Sequence, residues 1–222
     1  MVTFNFSGDV LTDEAAEIWR YFGEQSNVCP SDIRKLCDEA KGDDIVIYFN
    51  SDGGVLVAGT EIYSVLREYS GKVTAHIQSR AASSATVAMM ACDRIIAEPV
   101  SLVLIHNPST YAEGDAEELR MTAEELDSVK NAIIGAYMGR TKKSREEISA
   151  LMDKNAWMDA ATAKENGLVD EVLSAASVSG GFINGISRVK YPTQKMADEY
   201  RAAKNKEKNR ISAAKAFLEN YR

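Results

Sequence analysis

The sequence predicts an α/β fold built on a mainly parallel sheet, and three observations carry that reading. Compact apolar runs of strand length, Asp44–Phe49 (DIVIYF) and Val73–Gln78 (VTAHIQ), alternate with stretches of helical spacing. Each run leads into a turn-forming stretch, Asn50–Gly54 after the first and, after the second, Arg80 followed by two alanines and a pair of serines, before the next helix begins. A chain of 222 residues is also long enough for one sizeable buried core with an appendage. Strand, helix, strand, helix in this order calls for right-handed crossover units.

Taken in order, Val2–Phe6 alternates apolar and polar residues as a short strand does, and Ser7-Gly8-Asp9 ends it. Residues 11–25 have helical character, with Thr12 as N-cap and Asp13 and Glu14 in the first turn, where the helix dipole favours negative charge. After Pro30, Ser31-Asp32 restarts a helix whose buried face is Ile33, Leu36, Cys37 and Ala40. Asp44–Phe49 is a buried strand with Asn50–Gly54 as its turn. Helical spacing from Val57 to Tyr69 closes at Gly71, and the strand Val73–Gln78 passes through Arg80–Ser84 into an Ala/Met-rich helix. Ile95–Ala97 and Leu102–Ile105 read as short strands. Ala116–Tyr137 is a long charged helix, and a second starts at Ser144 with Glu146 and Glu147 in its first turn. Gly180-Gly181 breaks the pattern, and Met196–Tyr221 reads as a basic helical tail. The expected organisation is one domain over residues 1–178 and a basic helical extension over 179–222.

Charge is unevenly spread. The net charge of −7 comprises ten basic and four acidic residues from Arg188 to Arg222, against sixteen and twenty-nine in the rest. The body is acidic and the tail basic, the reverse of a nucleic-acid enzyme with a basic body, so no nucleic-acid partner is expected. The tail is either a solvated helix or a contact for an acidic surface. No apolar run reaches the ~20 residues that span a bilayer, and no basic-then-apolar signal opens the chain, so a cytoplasmic protein without a membrane partner is expected. Cys29, Cys37 and Cys92 have neither CxxC spacing nor accompanying histidines; they read as reduced structural thiols, and no metal is expected.

Three pieces can meet at one edge of such a sheet: Gly53-Gly54 ending one strand, the Ser83-Ser84 turn ending the next, and His106 ending LVLIH. A serine at a strand-to-helix turn sits on exposed backbone, with the following amides pointing where an oxyanion would lie. Glycine lets the backbone turn its own N–H to such a group without a side chain in the way. A serine hydroxyl needs a neighbouring base, and an imidazole titrating near about 6.5 suits that role. His106 is that base by elimination, because the one other histidine, His76, lies inside a strand and reads as a core or sheet-face residue. Alone, a Ser-Ser pair in a turn is more often structural than catalytic.

NSDGGVLVAG, AASS, IHNP and AWMDAATAKENGLVDEV resemble, in order and near-equal spacing, the Gly-Gly loop, nucleophile turn, histidine strand and following segment of the ClpP serine peptidases, over roughly Phe4 to Leu173. The resemblance implies a ClpP/crotonase-like spiral of ββα crossover units with a helical handle over about residues 114–152, stacked as a homo-oligomeric ring and using no cofactor. It implies Ser83 as nucleophile and His106 as base. Gly54 and the amide of Ser84 would form the oxyanion hole, and a protein or peptide substrate would lie extended along Gly53, Val55 and Pro108. Two positions depart from the family pattern. Asp52 stands where proline is typical, and Asn155 where the third member is usually aspartate. Asparagine can orient an imidazole by accepting its N–H but cannot stabilise an imidazolium by charge, which implies slow or regulated turnover; Asp153 is the alternative third member. Asp170 reads as a residue that caps or solvates a turn.

The family's housekeeping members carry a longer N-terminal segment that meets an ATP-driven unfoldase, whereas this chain starts almost at its first strand, which argues against such a partner. The trimmed N-terminus, altered triad and basic tail are similar to the ClpP-related head maturation proteases of tailed phages, which act on scaffold or capsid proteins. Two alternatives are a catalytically attenuated ring with a scaffold role and an ATP-dependent Clp-type proteolytic subunit. A crotonase-type acyl-CoA enzyme shares the architecture but needs no Ser-His pair.

Overall fold

The computed structural model describes residues 1–173, 183–184 and 191–219. By contact the chain divides into one unit of Met1–Thr12 and Ser26–Val189 and another of Asp13–Gln25 and Lys190–Arg222. The boundary expected after residue 178 and the Gly180-Gly181 break lie outside the described residues.

The first unit begins with β1 (Val2–Val10), followed beyond the excursion into the second unit by β2 (Asn27–Val28), α2 (Pro30–Ala40), β3 (Ile45–Gly54), α3 (Leu56–Glu68), β4 (Val73–Ala82) and α4 (Ser84–Met89). There follow β5 (Arg94–Ala97), β6 (Leu102–Leu104), the long α5 (Ala116–Thr141), α6 (Arg145–Lys154), β7 (Ala156–Asp159), α7 (Ala160–Glu165), β8 (Glu171–Val172) and β9 (Ile183–Asn184). The strands form one sheet in the order β2-β1-β3-β4-β6-β7-β9, with β5 pairing β4 and β8 pairing β5. Pairing is parallel from β2 through β6 and antiparallel at β6–β7 and β7–β9. The α/β class read from the sequence is thus the observed one.

Alternation sets the core. Ile45, Ile47 and Phe49 of β3 and Val73, Ala75 and Ile77 of β4 share one face and are buried. Phe6, the register partner of Phe49, stacks on it with ring centroids 4.6 Å apart. Burying each of the larger of these side chains contributes about 1.5–3 kcal/mol. Helix α3 packs on α2 and α4, and all six residues of α4 are buried. On the opposite face His76 lies 5.4 Å from the Tyr48 ring with Nε2 3.0 Å from the Glu98 carboxylate, a sheet-face residue as expected.

Two expected turns are instead irregular strand. β1 runs through Ser7-Gly8-Asp9 and β3 through Asn50–Gly54, each with a register shift. Buried Ser51 makes this possible, because its hydroxyl donates to the Gly8 carbonyl (2.6 Å) and accepts from the Gly53 amide (3.0 Å), satisfying backbone groups where the ladder is broken. Helix α2 starts at Pro30 rather than after it. Proline's missing N–H is one that a first turn does not use, and the Asp32 carboxylate accepts from the Cys29 amide at 3.0 Å. Burial pushes the Cys29 thiol up to about 11 and the Cys92 thiol up to about 12, which keeps both out of thiolate chemistry. Asp170 caps the Ile95 amide at 2.7 Å and pairs with Arg140.

The second unit pairs α1 (Asp13–Tyr21) with α8 (Gln194–Glu219). Arg201 lies 2.6 Å from Glu14, Lys204 2.5 Å from Glu17, and Tyr200 also bonds Glu17. The hydrogen bond from Lys204, reinforced by that from Tyr200, holds the Glu17 carboxyl below its usual value. The basic tail therefore meets an acidic surface within its own chain; its expected end at Tyr221 lies outside the described residues. No helix among the described residues is long and apolar enough to cross a membrane.

Candidate active site

Gly54, Ser83 and His106 follow from the carboxyl ends of the parallel strands β3, β4 and β6, the edge where open α/β sheets bind ligands. The Ser83 amide donates to the Leu104 carbonyl at 3.0 Å, which sets the serine beside the segment that carries His106. Ser83 has φ 54° and ψ −129°, a region that costs a non-glycine residue about 1–3 kcal/mol and persists only where its surroundings hold it. Such a conformation on a strand-to-helix turn lifts a side chain clear of the strand.

Gly53 is pressed against this turn. A Cβ there would stand 2.6 Å from the Ala82 carbonyl oxygen and the Ser83 Cβ, and its φ is +92°, so no other residue fits without displacement. A Cβ on Gly54 would stand 2.2 Å from the Val10 carbonyl oxygen. The Gly53 amide is taken by Ser51, and the Val55 amide by Val10 at 2.8 Å. The Ser84 side chain is buried, with no hydrogen-bond partner for its hydroxyl among the described residues. Val55 and Pro108 are half-buried at the ends of the two segments that flank the serine.

His106 is half-buried, and desolvation lowers its pKa below the usual 6.5, partly offset by a backbone hydrogen bond at Asn107. Asn155 terminates α6 in the left-handed conformation (φ 47°, ψ 45°), with its amide bonded to the Met152 carbonyl. Strand β7 pairs with β6 through Val103–Met158 and Leu102–Asp159, so Asn155, just before β7, and His106, just after β6, lie on the two segments that continue from this pair. Among the described residues no hydrogen bond joins the side chains of Ser83, His106 and Asn155. The Asp153 carboxylate accepts from Asn107 Nδ2 at 2.8 Å and Lys130 Nζ at 2.9 Å, and Lys130 foremost holds its pKa down. Asp153 is thus committed to partners other than the imidazole.

The Clp protease family model matches residues 24–176. This chain belongs to the Clp protease family. Its Clp relatives include an ATP-dependent Clp protease proteolytic subunit of Bacteroides fragilis, 37% identical over 150 residues that cover 67% of this chain and 72% of that protein. An ATP-dependent Clp protease proteolytic subunit 1 of Streptomyces coelicolor is 33% identical over 141 residues, 62% of this chain and 64% of that one. Among solved structures, an asparagine-to-aspartate mutant of ClpP1 from Listeria monocytogenes shares the fold, with a TM-score of 0.64 at 22% identity over 78% of this chain and 91% of that one. The chain is a serine peptidase of the Clp type. Its Clp match takes in the Gly-Gly, serine, histidine and Asn155 segments, whereas α1 and α8 fall outside it.

Sequence reading missed the polar residues that hold this site. Arg80, Lys130, Thr86 and Tyr137 carry no local motif, and each acts on a residue far along the chain.

Proposed function

We propose that the chain hydrolyses peptide bonds through an acyl-enzyme on Ser83. The Ser83 hydroxyl attacks the scissile carbonyl as His106 takes its proton; the Gly54 and Ser84 amides hold the oxyanion; collapse expels the amine, which receives the proton from the imidazolium, and water then cleaves the ester. Asn155 orients the imidazole by accepting its N–H. The observation that carries this reading is the positive φ of Ser83 on a turn packed against Gly53. Alternation along β3 supports Gly54 as a donor: Val55 donates toward β1, so the preceding N–H faces the side of β4 and Ser83. Substrate lies extended beside Gly53, Val55 and Pro108.

The chain works as a homo-oligomeric ring in the cytoplasm of a phage-infected cell, trimming scaffold or capsid proteins in prohead maturation. Support for that setting is Asn155 in place of aspartate, together with the α1–α8 unit outside the matched segment. The second reading, a proteolytic subunit working with an ATP-driven unfoldase, is favoured by the relatives' printed function.

Fluorophosphonate labelling followed by peptide mapping tests the site. Label on Ser83, lost in Ser83→Ala together with peptidase activity on an unfolded protein, is the expected result. Peptidase activity that survives Ser83→Ala overturns the assignment.

A further inference from the structure

We infer that Tyr137 and Thr86 are positioning residues for the nucleophile, linked to it by a buried hydrogen-bond chain that runs from Tyr137 through Thr86 to the Ser83 carbonyl; this rests on Ser83 being the nucleophile. The Thr86 hydroxyl donates to the Ser83 carbonyl at 2.6 Å and lies 2.8 Å from the Tyr137 hydroxyl. A threonine hydroxyl has one hydrogen, and it is spent on the carbonyl, so between Thr86 and Tyr137 the phenol is the donor. Burial pushes the phenol well above its ordinary value, which keeps that proton in place.

Both residues are inaccessible: Thr86 is 0% exposed and Tyr137 1%. Out of water, successive hydrogen bonds polarise one another and resist rearrangement. The Ser83 carbonyl also receives the Thr86 amide (3.0 Å) and the Val87 amide (3.3 Å), so the donors fix the plane of the peptide that follows Ser83. That peptide includes the Ser84 amide, the second oxyanion donor of the proposed mechanism. Rotating it would change the serine's ψ from −129° and swing the Ser84 N–H together. The chain thus ties a strained residue to α5, fifty-one positions from Thr86 in sequence.

The decisive variant removes both partners at once. Thr86→Val with Tyr137→Phe keeps the shapes and leaves no orphaned polar group, so it should fold with little change in thermal midpoint. We expect its maximal rate of fluorophosphonate labelling at Ser83 to fall tenfold or more, with half-saturation unchanged. Amide exchange at Thr86 and Val87 should quicken; Tyr137→Phe alone should shift both measurements the same way, and Thr86→Ser should restore both. Wild-type labelling rate and exchange in the double variant overturn the inference while Ser83 remains the nucleophile. If wild type takes no label on Ser83, the catalytic reading fails, and exchange then decides by itself: quickened exchange upholds the positioning role of the chain, and unchanged exchange overturns it.

Discussion

Arg80 Nε lies 3.0 Å from the Asp52 carboxylate, an ion pair rather than an aligned hydrogen bond, and it joins the end of β4 to the end of β3. One strand end carries Ser83 and the other Gly54, so the pair spans the two halves of the proposed oxyanion hole. Asp52 stands where the resemblance places a proline, and the pair supplies from outside the loop a restraint that the pyrrolidine ring would supply from within.

Arg80 is about half exposed, and pairs of this kind add at most about 1 kcal/mol to stability. Their effect should appear in rate. Arg80→Gln and Asp52→Asn are each expected to slow fluorophosphonate labelling several-fold, with the double variant no slower than either. Additive effects in this double-mutant cycle would show that the two residues act separately.

Two demands meet at position 155, and they oppose each other. The left-handed cap suits asparagine, and a carboxylate at a helix C-terminus is unfavourable by about 0.3–1 kcal/mol. A carboxylate acting as the third member beside His106 would, however, stabilise the imidazolium. Asn155→Asp is expected to label at least about tenfold faster, given that the reverse change in another Ser-His-Asp enzyme costs about 10⁴ in kcat, and to unfold at a slightly lower temperature. A slower or unchanged rate would remove Asn155 from the triad.

The base must be neutral to accept the serine proton. Since burial lowers the pKa of His106, its neutral form persists to lower pH than in a free imidazole, and the acid limb of the labelling rate should have its midpoint below 6.5. Asn155→Asp should move that midpoint upward, because a nearby negative charge favours the protonated ring. A midpoint above 6.5 in the unaltered protein would contradict the assigned base.

Gly53→Ala places a methyl group 2.6 Å from the Ala82 carbonyl oxygen at a φ of +92°. Labelling should fall to background, and the thermal midpoint should drop with it.

The placement of the candidate groups at one sheet edge was legible in the sequence because they sit in short contiguous stretches at strand ends. Gly53-Gly54, Ser83-Ser84 and His106 each follow an apolar run, and parallel pairing brings such ends together. The strand ends themselves misled: Ser7-Gly8-Asp9 and Asn50–Gly54 carry turn chemistry yet stay in the sheet, since Ser51 bonds the broken ladder. Restraints over long separations left no trace, because Thr86–Tyr137, Lys130–Asp153 and Glu17–Lys204 are pairs that only the folded chain creates.

The excursion that forms α1 leaves and rejoins the sheet at neighbouring points, for Asp9 pairs with Asn27 and Val10 with Val28. A segment closed between two such neighbours can change in length without shifting the register of β3, β4 or β6. Its charge partners, Arg201 and Lys204, come from α8. Glu14 and Glu17 thus wait on Arg201 and Lys204 for their countercharge, so deleting either helix alone would strand like charges on the other.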